Sequence, residues 1–115
     1  MTSPACIFCK ILNKELPAKI AYEDSYCVAF HDINPQAPVH LLVIPRKHFA
    51  SAAEAGEGDE LILGHLHRVA AQLAEQRGLT QGHRVVMNTG AAAGQSVFHV
   101  HLHLLGGRPF RWPPG

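Results

Sequence analysis

Three histidines alternate with apolar residues in His99-Val100-His101-Leu102-His103. On an extended chain successive side chains point to opposite sides, so the three imidazoles share one face, and Val100, Leu102 and Leu104 share the other. Each two-residue step advances about 6.6 Å, which separates the outer pair by roughly 13 Å of backbone. That is too far for all three to hold one ion, although two neighbours could share zinc. Neutral imidazole is a competent nucleophile near pH 7 once its other nitrogen is fixed by a hydrogen bond. A protonated histidine beside it can neutralise phosphate oxygens. An exposed strand face could carry histidine for no chemical reason, but Ser, Thr or Lys would serve such a face equally well. His40 interrupts the apolar run Val39-His40-Leu41-Leu42-Val43-Ile44 and could complete the cluster. By itself it is an ordinary core histidine.

A second group with chemistry is Cys6-Ile7-Phe8-Cys9. Three cysteines are an odd number for a disulfide framework, and the Cys-x-x-Cys spacing favours metal or redox chemistry over a structural bridge. A redox pair usually opens a helix after a strand, and no strand is expected before Cys6. Cys27, between Tyr26 and Val28, is expected to be a buried, inert thiol.

These residues must be positioned by one compact domain, since 115 residues suffice for a single core. Apolar residues make up 47% of the chain and charged ones 17%, a composition that folds. The formal net charge of +1 gives no basic face for nucleic acid or an anionic membrane. No run of about eighteen apolar residues predicts a membrane span. Met1 to Pro4 lack the features of a secretion signal, so a cytoplasmic protein is expected.

The pattern predicts a short helix over 7–13, ended by Leu16-Pro17, and strands over 18–23 and 26–31 around Asp24-Ser25. A loop with two prolines covers 32–38, and a strand follows over 39–45. Asp59 can cap a helix running to about Arg77, with Ile62, Leu66, Val69 and Leu73 at helical spacing and Gly78 as the stop. A fourth strand over 84–88, a loop over 89–96 and a fifth strand over 98–105 complete the chain before Gly106-Gly107. Strands broken by one long helix predict an α+β domain with a mainly antiparallel five-stranded sheet.

The pattern His-apolar-His-apolar-His-apolar-apolar resembles the signature of the histidine-triad superfamily. The flanks resemble its Hint branch: Phe30-His31-Asp32-Ile33, Pro35-Gln36-Ala37-Pro38, Val43-Ile44-Pro45, Gly94-Gln95-Ser96-Val97, Gly106-Gly107-Arg108 and the ending Trp112-Pro113-Pro114-Gly115. The likeness runs from about Cys6 to the last residue and implies one histidine-triad domain over 1–115, with 108–115 as a C-terminal tail. Two positions depart from the pattern. Ala93 stands where a second glycine often precedes Gly-Gln-Ser, and Phe98 where tyrosine can occur. Neither touches the implied nucleophile.

The resemblance implies a purine nucleoside phosphoramidase, which cleaves the P–N bond of nucleoside monophosphate derivatives through a nucleotidyl-histidine intermediate. His101 would be the nucleophile, His40 and His103 would orient it and contact phosphate, and Ser96 would help to protonate the departing amine. Asp32 would accept hydrogen bonds from the ribose hydroxyls. Phe8, Ile11, Phe30, Ile33 and Leu42 would form the slot for the base, while Asn88, Gly94, Gln95, Ser96 and Val97 would lie along the phosphate and Trp112 at the tail. Gly94 suits a loop that approaches oxygen atoms closely, but the loop lacks the Gly-Lys-Ser/Thr ending of a Walker motif. Some members of the superfamily bind a structural zinc, for which Cys6, Cys9, His48 and His99 would be the ligands, with no metal required for catalysis. A homodimer is implied too, with the sheet extended across it and each tail reaching the partner's active site.

Other readings stay open. One is a dinucleoside polyphosphate hydrolase, as in the fragile-histidine-triad branch; the tail and the Gln95-Ser96 pair favour the Hint-like alternative. Another is a nucleotide-binding or interaction protein with negligible turnover. A catalytic metal on His-x-His is disfavoured on the expectation that no carboxylate adjoins the triad.

Overall fold

The computed structural model describes residues 5–115, so the expectation about Met1 to Pro4 lies outside the described residues. In chain order come α1 (Ile7–Leu12), β1 (Ile20–Glu23), β2 (Cys27–His31), β3 (Val39–Pro45), α2 (Asp59–Gln76), β4 (His83–Val86) and β5 (Leu102–Gly106). Single 3-10 turns occupy Ala52–Glu54 and Ala91–Ala93. All five strands join one antiparallel sheet in the order β1-β2-β3-β5-β4, the α+β architecture that the pattern predicts. No described helix is long and apolar enough to cross a membrane.

The near-continuous apolar run of β3 is explained by its central place, covered on both faces. On one face Leu41 and Val43 pack with Cys27, Ala29, Leu102 and Leu104 against Leu66, Val69, Ala70, Leu73 and Ala74 of α2. On the other, Leu42 and Ile44 pack with Val28 and Phe30 against Phe8 of α1. Burying each large aliphatic side chain contributes about 1.5–3 kcal/mol. His40, which is buried, and His103, which is half-buried, fall on the α1 face by alternation, the side that α2 leaves open.

The ends of α2 depart slightly from the pattern. Gly58 at φ 88° is the N-cap, and Asp59 is the first helical residue. Its carboxylate reaches back to the Gly56 N–H at 2.7 Å and receives Lys47 Nζ at 2.7 Å. Gly78 does stop the helix: at φ 73° it turns the chain so that Leu79 N–H donates to Ala74 O at 3.0 Å.

The larger correction concerns the fifth strand, which begins at Leu102 and not at Phe98. His99 and His101 therefore precede the ladder, whose first recorded pair is Val43 with Leu102. Pro45 closes β3 without an N–H to offer, and its carbonyl is taken by the His99 ring nitrogen Nε2 at 2.9 Å. Strand pairing is thereby replaced by a side-chain bond at the point where the histidines enter the site.

A polar knot ties β1, β2 and α2 together. Asp24 Oδ1 accepts from the N–H groups of Tyr26 (2.7 Å) and Cys27 (2.8 Å), and Oδ2 from Tyr22 Oη–H (2.8 Å) and His65 Nε2–H (2.7 Å). Burial alone would raise the Asp24 carboxyl, but these donors, His65 foremost, hold it well below the ordinary carboxylate range. The neighbouring Cys27 thiol is fully buried and pushed up to about 12 by that burial, as an inert core cysteine should be.

Asp24→Ala is expected to lower stability by about 1–3 kcal/mol at pH 7, read from urea unfolding. The folded carboxyl binds its proton at lower pH than the unfolded one, so its contribution is present above the unfolded value of 3.8 and fades as pH falls below it. The difference between wild type and variant should therefore shrink on acidification. Equal stability at neutral pH would contradict this account of the knot.

Candidate functional site

The protons on the histidine rings follow from their partners, because an N–H and a carbonyl each leave a ring nitrogen only one role. His101 Nδ1 lies 2.8 Å from the carbonyl of His99 and must donate to it. Its proton is thus on Nδ1, and Nε2 keeps a lone pair. His101 is 7% exposed, with its ring edge-on to Phe8 at 5.1 Å and to His103 at 5.0 Å between centres.

His40 shows the opposite arrangement. The Gln36 N–H donates to its Nδ1 at 3.0 Å, so the neutral ring carries its proton on Nε2. That nitrogen lies 2.9 Å from His103 Nδ1 and 3.4 Å from Asp32 Oδ2. His40 therefore donates to His103, whose Nδ1 accepts and whose own proton sits on Nε2. A chain of bonds from Gln36 through His40 to His103 leaves one N–H at its end and a nucleophilic lone pair on His101 beside it.

Burial lowers the pKa of His101 against the opposing pull of the His99 carbonyl and Asp32, and it lowers that of His40 despite Asp32. His103 is pushed down to about 4 by burial and by the His101 and His40 rings. With no phosphate present, burial thus favours the neutral ring of His103. In that neutral form His103 offers an oxygen the Nε2–H fixed by His40.

Asp32 does adjoin the cluster, contrary to the expectation that no carboxylate stands near it, and Asp32, His40 and His103 lie close enough to suggest a metal site. The proton positions argue otherwise. His40 Nδ1 is occupied as an acceptor, so its Nε2 has no lone pair for a metal unless the ring becomes an imidazolate. Asp32 also has a local role, accepting the Asn34 N–H on Oδ1 at 2.8 Å. Gln36, whose N–H fixes the chain of tautomers, is not among the site residues that the sequence suggests. Its only signal is the Pro35-Gln36-Ala37-Pro38 loop, and a backbone donor has no side-chain signature.

The remaining expected residues divide clearly. Phe8, Phe30 and Leu42 are buried in one cluster, against which Ile11 and Val97 pack, whereas Ile33 is wholly exposed at 101%. Gln95, expected along the phosphate, is 3% exposed and has its side chain engaged inside the loop. Its Nε2 donates to Ala50 O (2.6 Å) and Val97 O (3.0 Å), and its Oε1 accepts from the Gly90 N–H (2.9 Å). Gln95 thus holds the loop that presents the exposed Ser96. Gly94 takes the left-handed conformation at φ 102°, facing Asn88. In the tail, Trp112 is 84% exposed, while Phe110 lies under the guanidinium groups of Arg84 and Arg108. Arg84 Nη2 also donates to Arg111 O at 2.8 Å, so the start of the tail is held on β4 of its own chain.

Cys6, Cys9, His48 and His99 converge at the N-terminal end of the site. Cys6 Sγ lies 3.4 Å from His99 Nδ1, and Cys9 Sγ lies 3.4 Å from His48 Nδ1 and 3.6 Å from His99 Nδ1. The two Nδ1 atoms are 3.0 Å apart. Donors bound at about 2.0–2.3 Å around a tetrahedral ion lie roughly 3.3–3.8 Å from one another, close to this set. His99 Nε2–H is committed to Pro45 O, which leaves Nδ1 as its ligand atom, the outer-shell arrangement that metal-binding histidines usually have. The residues fit a zinc ion.

The family model described as HIT domain matches residues 13–110. An uncharacterized HIT-like protein of Synechococcus elongatus is 54% identical over 109 residues, covering 95% of this chain and 96% of that protein. Among solved structures, a HIT family hydrolase from Clostridium thermocellum superposes with a TM-score of 0.92 at 48% identity, covering 96% of each chain. A histidine triad nucleotide-binding protein from Candida albicans superposes with a TM-score of 0.81 at 31% identity, covering 96% of this chain and 85% of that one.

The lowered pKa of His103 has a measurable consequence. Its folded pKa of about 4 lies below the ordinary 6.5, so its contribution to stability is present above pH 6.5 and is lost as pH falls toward 4, where only the unfolded imidazole has taken up its proton. The thermal midpoint should fall across that window, and His103→Gln should make the fall shallower. Identical pH slopes for the two proteins would contradict the assignment of His103 as a half-buried neutral donor.

Proposed function

Because the chain belongs to the HIT domain family, we propose that it is a hydrolase that cleaves the P–N bond of adenosine 5′-phosphoramidates and related purine nucleoside monophosphate adducts. The observation that carries this reading is the His101 tautomer. With Nδ1–H held by the His99 carbonyl, the Nε2 lone pair is available for attack on phosphorus.

In the first step His101 Nε2 bonds to the α-phosphorus and the P–N bond breaks, its electron pair leaving on the amine nitrogen. That nitrogen takes the Ser96 hydroxyl proton. The His101 ring gains positive charge as the bond forms, and the His99 carbonyl stabilises it through Nδ1–H. In the second step water bonds to phosphorus, the P–Nε2 bond breaks, and a water proton restores the Ser96 hydroxyl. His103 Nε2–H binds a phosphoryl oxygen without bringing charge, and Asp32 takes the ribose hydroxyls. Ser96 lines a cleft of about 360 Å³ with Cys6, Ile7, His48, Val97 and Phe98.

A structural zinc on Cys6, Cys9, His48 and His99 goes with this reading. It takes no part in bond making and ties α1 to the sheet, and keeping cysteines for a metal accords with a reducing cytoplasm. The working form is a homodimer. Its support is that β4 lies at the sheet edge and that Trp112 is left in water, two features that a second copy would cover.

Turnover of an adenosine phosphoramidate, compared with a diadenosine polyphosphate, tests the reaction class. Selective cleavage of the first is expected, and preference for the second would overturn the proposal in favour of polyphosphate hydrolysis. His101→Ala should abolish turnover while nucleotide still binds; a folded variant with wild-type kcat would remove His101 from the mechanism. Ser96→Ala should slow substrates with basic amine leaving groups most, because a positioned proton donor matters most when the leaving group is poor. Equal slowing across a leaving-group series would exclude Ser96 as that donor. Sedimentation at micromolar concentration should show a dimer, and a monomer would refute the assembly.

A further inference from the structure

The metal-fitting cluster and the nucleophile are joined through two connections that a purely structural site would not need. The first is covalent and short: His99 gives its ring to the cluster and its backbone carbonyl to His101 Nδ1–H, at 2.8 Å. The second is α1. Cys6 is the N-cap of this helix and Cys9 lies within it, and Phe8 between them sets its ring 6.0 Å from that of His99 and 5.1 Å from that of His101. Both connections meet the nucleophile where the sheet does not hold it, since β5 begins only at Leu102.

We infer that occupation of the Cys6-Cys9-His48-His99 site fixes the tautomer and aim of His101, so that these four residues position the nucleophile as well as staple the fold. The inference rests on the zinc reading above. Between His99 and His101, the recorded backbone bond to the rest of the chain is Val100 N–H to Phe49 O at 2.8 Å. That N–H shares one planar peptide with the His99 carbonyl and holds it on one side, while the His99 ring, anchored at Nε2 by Pro45 O and at Nδ1 within the cluster, holds the residue on the other. If His99 turns, its carbonyl leaves His101 Nδ1, the proton is free to move to Nε2, and the Nε2–H form has no lone pair for phosphorus. Helix α1 has six residues, too few to persist without tertiary anchors. Loss of its cysteine anchors would also loosen Phe8 from the His101 ring.

The test compares the zinc-loaded full chain with the same chain stripped by a chelator, using histidine labelled with nitrogen-15. Ring nitrogen–proton correlations of His101, identified by their loss in His101→Ala, report its tautomer directly. Backbone amide spectra report whether the stripped chain stays folded. The loaded protein should show a single Nδ1–H form. The stripped, folded protein should show averaging between both forms, with kcat down roughly ten-fold or more, KM little changed, and both restored by adding zinc back. A folded, stripped protein with an unmoved tautomer and unchanged kcat would overturn the coupling while leaving the metal site intact. Absence of zinc from protein expressed with added metal would overturn the metal reading and the coupling together. If stripping unfolds the chain, Cys6→Ser serves for the same comparison once elemental analysis shows that it carries no zinc, and an unmoved His101 in that folded, zinc-free variant overturns the coupling equally.

Discussion

The hydrogen bond from His101 Nδ1–H to the carbonyl of His99 determines on which nitrogen the central imidazole carries its proton, and nearly every other feature of the site follows from that choice. A buried imidazole with no such partner would exchange its proton between two nitrogens and present the wrong one part of the time. Here the acceptor is a backbone oxygen two residues away, in the bent segment that precedes β5. Burial shifts the ring toward its neutral form, the form whose lone pair can attack.

A second fixed tautomer complements it. The Gln36 N–H makes His40 a donor to His103, and His103 therefore faces the site with an N–H instead of a lone pair. Neighbouring rings, each neutral, thus present one electron pair and one proton to the same small volume. The low dielectric that makes ionisation costly also strengthens such oriented dipoles. Asp32 stands beside this pair as the nearby carboxylate, and a donor network that leaves His40 without a free lone pair argues against a metal between them.

Much of this was legible in the sequence because it depends on periodicity. The apolar run 39–44, the helical spacing from Ile62 to Leu73 and the Gly78 stop specify the sheet centre and the helix that covers it. Alternation fixes the face within each strand, but it takes the pairing of β3 with β5 to put His40 and His103 on the same side. What was not legible depends on the backbone. The early end of strand pairing comes from Pro45, whose carbonyl is captured by a histidine ring 54 residues away in the chain. The capture of Gln95 by its own loop, and the N–H of Gln36 that fixes His40, likewise involve main-chain groups that every residue type possesses. The proximity of Asp32 to the triad is a tertiary contact between a loop and a strand end, outside the reach of spacing. The Cys-x-x-Cys pair suggested a metal, but only the fold brings His48 and His99 to it.

The stereochemical course at phosphorus tests the central claim most directly. A nucleophilic His101 requires two successive in-line displacements, one by Nε2 and one by water, each inverting the centre. Hydrolysis of a nucleoside phosphoramidate made chiral at phosphorus by sulfur and oxygen isotopes should therefore give product with net retention. Net inversion would mean that water attacks the substrate directly, and that the lone pair on His101 acts as a base or not at all.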